Sequence, residues 1–169
     1  MTAVIRAGEG RRLALPGRAA TELVSGAQGG YGVTVRRVTI PPEGVPEAGR
    51  PGTGPAAPRG PHRHEGSSEV IVILAGTGEF ETADGAVPVG PGDLVVVSPG
   101  EAHRTRNTGP GDLVSLCFFA VPDLAAVTTE LPPLPVPPQA PGRTPRQRCP
   151  GAEDQPPDAS EAPAREAEH

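Results

Sequence analysis

His62-Arg63-His64-Glu65-Gly66-Ser67-Ser68-Glu69 and, further along, Pro99-Gly100-Glu101-Ala102-His103-Arg104-Thr105-Arg106-Asn107 together hold three of the four histidines of this chain. His62 and His64 stand two residues apart, so on an extended strand both imidazoles project from the same face. Glu69 follows five residues after His64 and opens the apolar run Val70–Leu74. His103 arrives from a third strand, beyond a region punctuated by Gly and Pro. Three imidazoles and one carboxylate converging on one interior form a ligand set that a divalent transition ion accepts, with positions left for water, substrate or dioxygen. An isolated histidine is usually a solvated side chain. Here the only histidine outside the constellation is His169, and an unpaired inward carboxylate at the head of an apolar strand would be costly.

Strand signals surround this centre. Val33–Ile40 alternates and is β-branched, while Val70–Leu74, Leu94–Val97 and Leu113–Phe119 are short apolar runs bounded by turns. Shorter strands are expected near Val4–Ile5, Arg12–Leu15, Glu22–Val24, Glu79–Glu81 and His103–Asn107. Strands recurring at this spacing, with no helical period beyond a turn at Asp123–Thr129, predict an all-β sandwich or barrel.

The two quoted stretches resemble the paired motifs of the cupin superfamily. His62, His64, Glu69 and Gly76 match the first motif in spacing, although Ala56 stands where its leading glycine would fall. Gly92, Gly100, His103 and Asn107 match the second, with Ser98 in place of its first proline. The resemblance reaches from about Val4 to Pro122. It implies a jelly-roll β-barrel, one divalent metal (Fe, Mn, Ni, Co, Zn or Cu) held by His62, His64, Glu69 and His103, and a homodimer. The V-I-R-A-G-E-G-R-R-L run near the N-terminus and the segment around His103 look like the single-domain bacterial cupins described as quercetin-dioxygenase-like. Similar cupins serve as aromatic polyketide cyclases or as auxiliary enzymes of natural-product pathways.

Composition divides the chain. A length of 169 residues allows one domain with appendages. Most of the 24 prolines fall in two blocks, Pro41–Pro61 and Leu131–His169. The second block has only Leu131, Leu134 and Val136 as large aliphatics, too little to offset the entropy of ordering it. Residues 1–130 are therefore read as the barrel, 41–61 as a Pro/Gly-rich loop insertion that is either disordered or an active-site flap, and 131–169 as a disordered Pro-rich tail with an acidic end. Net charge is −5, all fifteen basic residues are Arg, and no basic patch suits a nucleic acid. The lack of Lys removes Schiff-base chemistry through a side-chain amine, and the Arg bias with abundant Ala, Gly and Pro is associated with GC-rich bacterial genomes. No apolar run reaches signal-peptide or membrane length, and Cys117 reads as a core residue that does not pair with Cys149, so a cytoplasmic location without membrane partners is expected.

Strand parity sketches the interior. With Glu69 inward, Ile71 and Ile73 follow; with His103 inward, Thr105 and Asn107 follow, leaving Arg104 and Arg106 outside. The expected pocket is apolar and free of inward Arg, suited to a small, planar, oxygen-bearing substrate such as an aromatic or polyketide. Glu69 is the candidate catalytic base as well as a ligand. Tyr31, Glu79 and Glu81 are further acid/base candidates, better explained as rim packing and solvated strand residues. Two function classes follow: a dioxygenase or cyclase/isomerase of bacterial secondary metabolism, or a metal-dependent small-ligand binding or sensor protein without turnover.

Overall fold

The structure, a computed structural model, describes residues 2–6, 8–15, 17–43 and 60–132. The expected disordered tail and most of the 41–61 insertion thus lie outside the described residues. Eleven strands are described: β1 (Arg11–Leu15), β2 (Arg18–Val24), β3 (Thr34–Ile40), β4 (His62–His64), β5 (Glu69–Ala75), β6 (Gly78–Thr82), β7 (Gly85–Val89), β8 (Leu94–Val97), β9 (His103–Arg106), β10 (Leu113–Phe119) and β11 (Thr128–Glu130). They form a six-stranded sheet, ordered β1-β2-β3-β10-β5-β8, and a five-stranded sheet, ordered β11-β4-β9-β6-β7. Every pairing is antiparallel. The fold is the all-β jelly-roll barrel that the motifs imply.

Alternation builds the interior. Along β5, Glu69, Ile71 and Ile73 are buried while the residues between them are less so; along β10, Leu113, Ser115, Cys117 and Phe119 are the buried set. Register links these positions into rows across the sheet: Glu69 lies opposite Phe119, and Phe119 opposite Thr34. One step further, Ile71 lies opposite Cys117, Cys117 opposite Arg36, Arg36 opposite Glu22 and Glu22 opposite Arg11. Ile73, Leu113 and Val97, each at most 2% exposed, anchor the apolar core.

Several expectations need correcting. Val4–Ile5 forms no strand and is exposed, since no described partner covers it. β7 carries no strand signal in the sequence, because Gly85-Ala86-Val87-Pro88-Val89 has a proline inside the run; β7 is an edge strand, where Pro is tolerated. The helical turn expected over Asp123–Thr129 is a single 3-10 turn at Ala125–Val127, and Thr128 already begins β11, paired with His64. Among the described residues, no helix is long and apolar enough to cross a membrane.

Candidate metal centre

Local structure sets the four side chains in place. β4 is only three residues long, and its two histidines share one face, 6% and 4% exposed, with Arg63 between them turned to the other side. His62 lies directly opposite His103 of β9, which brings their ring centroids to 4.3 Å. Gly100, in the left-handed region at φ 78°, turns the chain into β9 and donates its N–H to the His64 carbonyl at 2.8 Å. That bond ties the turn of one motif to the strand of the other. Gly76, also left-handed, has no room for a side chain, because a Cβ there would collide with the Asp112 carbonyl. Asn107, 1% exposed, ligates nothing. Its amide donates to the carbonyls of Ile40 and Gly111, both at 2.7 Å, and its oxygen accepts the Gly109 N–H, so it pins the loop after β9.

The ligand atoms of His62, His64, Glu69 and His103 all lie within 4.8 Å of one another, and all four residues are buried. Two of the rings have their tautomers fixed from behind. His103 Nδ1 faces the Glu101 carbonyl at 2.8 Å, which can only accept, so Nδ1 carries the proton. His64 Nδ1 lies 3.0 Å from Thr128 Oγ1, whose own proton is given to the Leu124 carbonyl at 2.7 Å, so this ring nitrogen donates as well. In the neutral rings both Nε2 atoms are therefore bare lone pairs. They point at Glu69 Oε2, from 2.9 Å for His103 and 3.2 Å for His64.

Burial raises the Glu69 pKa, and only a further proton on His103 Nε2 or His64 Nε2, donated to the carboxylate, outweighs burial and holds the carboxyl below its ordinary range; with both rings neutral no such donor exists. Three acceptors thus crowd one point. A proton shared with one ring would leave the other facing an oxygen without a donor, and His64 Nε2 is a buried atom without a hydrogen bond. A cation between them satisfies every lone pair, so the donor set fits a divalent transition ion.

The centre opens on a cavity of about 390 Å³, lined on its apolar side by Leu13, Leu15, Val38, Ile71 and Phe119. The parity sketch holds for Glu69, Ile71, Ile73, His103 and Asn107, all of which are buried. The expectation of no inward Arg does not hold: Arg11, Arg18 and Arg36 line the cavity. They lie on β1, β2 and β3, whose inward positions become evident only once register is known. Thr128, which fixes one ring, was hidden inside the expected helical turn. Tyr31, Glu79 and Glu81 are not among the lining residues. Glu81 pairs with Arg104 and Arg106, and Glu79 with Arg106, on the outer face of β6 and β9. Arg106 also holds Glu43, lowering that carboxyl's pKa through the hydrogen bond more than its burial raises it.

Comparison with known proteins agrees with this geometry. Residues 50–119 match the cupin domain family. An oxalate-binding protein of Thermotoga maritima is 38% identical over 65 residues, which are 38% of this chain and 54% of the relative, so the chain spans about half the length of that curated relative. The crystal structure of a predicted oxalate decarboxylase from Thermotoga maritima superposes with a TM-score of 0.55 at 26% identity, covering 70% of this chain and 99% of the other. The polyketide cyclase RemF of Streptomyces resistomycificus superposes at 0.53 with 19% identity, covering 70% and 79%, and shares the fold. Both motifs, the two-sheet barrel and the buried His-His-Glu-His cluster agree with the match of residues 50–119 to the cupin domain family.

Proposed function

We propose that the protein is a metal-dependent enzyme acting on a small oxygen-bearing organic molecule that enters the barrel and ligates the ion held by His62, His64, Glu69 and His103. The observation that carries this reading is the convergence of Nε2 lone pairs and a charged carboxylate at an organic-sized cavity. When bound, a divalent ion supplies Lewis acidity, and iron in particular also supplies a place for dioxygen. The protein's own part is to orient and exclude. Thr128 and the Glu101 carbonyl hold two rings in register, and Ile71 and Phe119 keep water from the reacting centre. Glu69, ionised at neutral pH, is the group able to accept a proton beside the ion. The apolar wall supports an aromatic or polyketide-like substrate and a dioxygenase or cyclase/isomerase reaction in a bacterial cytoplasm.

The name of the Thermotoga relative favours a second reading, in which the site binds its ligand without turnover. Protein loaded singly with each of the six candidate metals, screened for oxygen uptake and for conversion of phenolic and polyketide substrates, separates the two. Conversion with any one metal establishes the enzyme; substrate returned intact with all six establishes the binding protein.

We propose also that two copies pair through the outer face of β10, β5 and β8. Leu94, Val72 and Leu116 form one row there and Val96, Val70 and Phe118 the next, ending on the edge strand β8. Leu94 and Val96 are 59% and 65% exposed, an apolar surface that a second copy of the same edge matches by symmetry.

A further inference from the structure

Besides the metal ligands, the cavity wall carries charged side chains, Glu130 of β11 among them. Its part from β1, β2 and β3 presents Arg11, Arg18 and Arg36. Two of these are already committed. Glu22, 2% exposed, accepts from Arg11 Nη2 at 2.8 Å through one oxygen, and from Arg36 Nε at 3.1 Å and Nη2 at 2.8 Å through the other. Arg18 is different. It lies four residues from Glu22 along the same face of β2, about 13 Å along the strand, out of reach of that carboxylate. Its Nε is buried and has no hydrogen-bond partner among the described residues. A buried guanidinium N–H without an acceptor is costlier than a neutral one, and such a group in a cavity wall is explained by an acceptor that arrives with a ligand.

We propose that Arg18 is the anion-recognition residue of this cavity and holds the carboxylate of an elongated organic ligand whose other end carries the metal-binding oxygens. This rests on the metal-site reading above for the far end of the ligand only. The class follows from the surroundings. A guanidinium whose Nε has no partner among the described residues, flanked by the apolar Leu15 and Ile40 in a wall that also carries Glu130, offers a planar fork suited to one carboxylate. A phosphate dianion would call for a second cation, and Glu22 has already taken Arg11 and Arg36. Length follows from register. Ala19 pairs with Thr39, which sets Arg18 level with Ile40, whereas Glu69 is level with Thr34 through Phe119. Those levels are six residues apart, about 20 Å along β3, more than an arginine side chain spans alone. Oxalate is too short to touch both ends.

The test is calorimetric titration of the zinc-loaded protein with unbranched dicarboxylates from oxalate to suberate, comparing wild type, Arg18→Gln and Arg18→Lys at equal measured zinc content. The longer members should bind wild type more tightly than oxalate does. Arg18→Gln should weaken them about tenfold or more, Arg18→Lys less, and neither should change oxalate. Equal affinity of wild type and Arg18→Gln for every member, an equal loss for oxalate, or no binding by the longer members would overturn the proposal. Hexanoate added to chelator-treated wild type and Arg18→Gln, read by thermal shift, reports the arginine without the metal. A stabilisation of wild type that Arg18→Gln lacks supports Arg18 even if the zinc site fails, and its absence counts against Arg18 alone.

Discussion

At the scale of single residues, the centre is defined as much by what stands behind the ligands as by the ligands. Thr128 accepts the His64 Nδ1 proton only because its own hydroxyl is given to Leu124. Thr128→Val keeps the shape and removes the acceptor, and should weaken metal affinity roughly 10- to 100-fold while leaving the melting temperature of metal-free protein nearly unchanged; competition with a chromophoric chelator measures the first and thermal denaturation the second. Glu69→Gln keeps a similar oxygen but cannot accept a proton at neutral pH. Retained metal with lost turnover would establish Glu69 as the base, and unchanged turnover would rule that role out. The buried cluster of His62, His64, Glu69 and His103 was legible in the sequence because H-x-H on a strand has only one reading of parity and Glu69 had no inexpensive inward alternative. Arg18 and Arg36 were not legible. Arginines scattered over short strands look solvated until cross-strand register shows which face they take, and their aliphatic stems let them line an apolar wall.

Elements follow the same division. Alternating runs such as β5 and β10 declared themselves, whereas β4 and β11, three residues each, are held by partners rather than by their own pattern. Asn107 shows how much one side chain can organise: Asn107→Ala removes three hydrogen bonds and strands the Ile40 and Gly111 carbonyls, at a cost of about 2–4 kcal/mol in urea denaturation. The Arg11–Glu22–Arg36 row ties three strands together and should leave a pH signature. Burial raises the Glu22 pKa, but hydrogen bonds from Arg11, Arg36 and Ser25 prevail and lower it. A carboxyl depressed in the folded state contributes stability above its ordinary pKa, about 4.3, and loses it as pH falls through the lowered value. Glu22→Gln should therefore melt well below wild type at pH 7, with the gap closing as pH drops below about 4. A gap constant down to pH 3 would show that the row carries no such linkage.

For the whole molecule, the outer face of β8 and the chain beyond β11 are the features to test. Val96→Glu should convert a dimer into a folded monomer by light scattering at micromolar concentration; a wild-type monomer there would refute the pairing. Truncation after Pro132 keeps the Leu131 N–H bond to the Pro61 carbonyl and should leave the melting temperature and metal content unchanged. The metal centre is tested most directly by elemental analysis of the purified chain. Wild type should hold about one divalent transition ion per chain, and His62→Ala/His103→Ala, with two of four ligands gone, should hold little or none. Equal metal in the two proteins would contradict it.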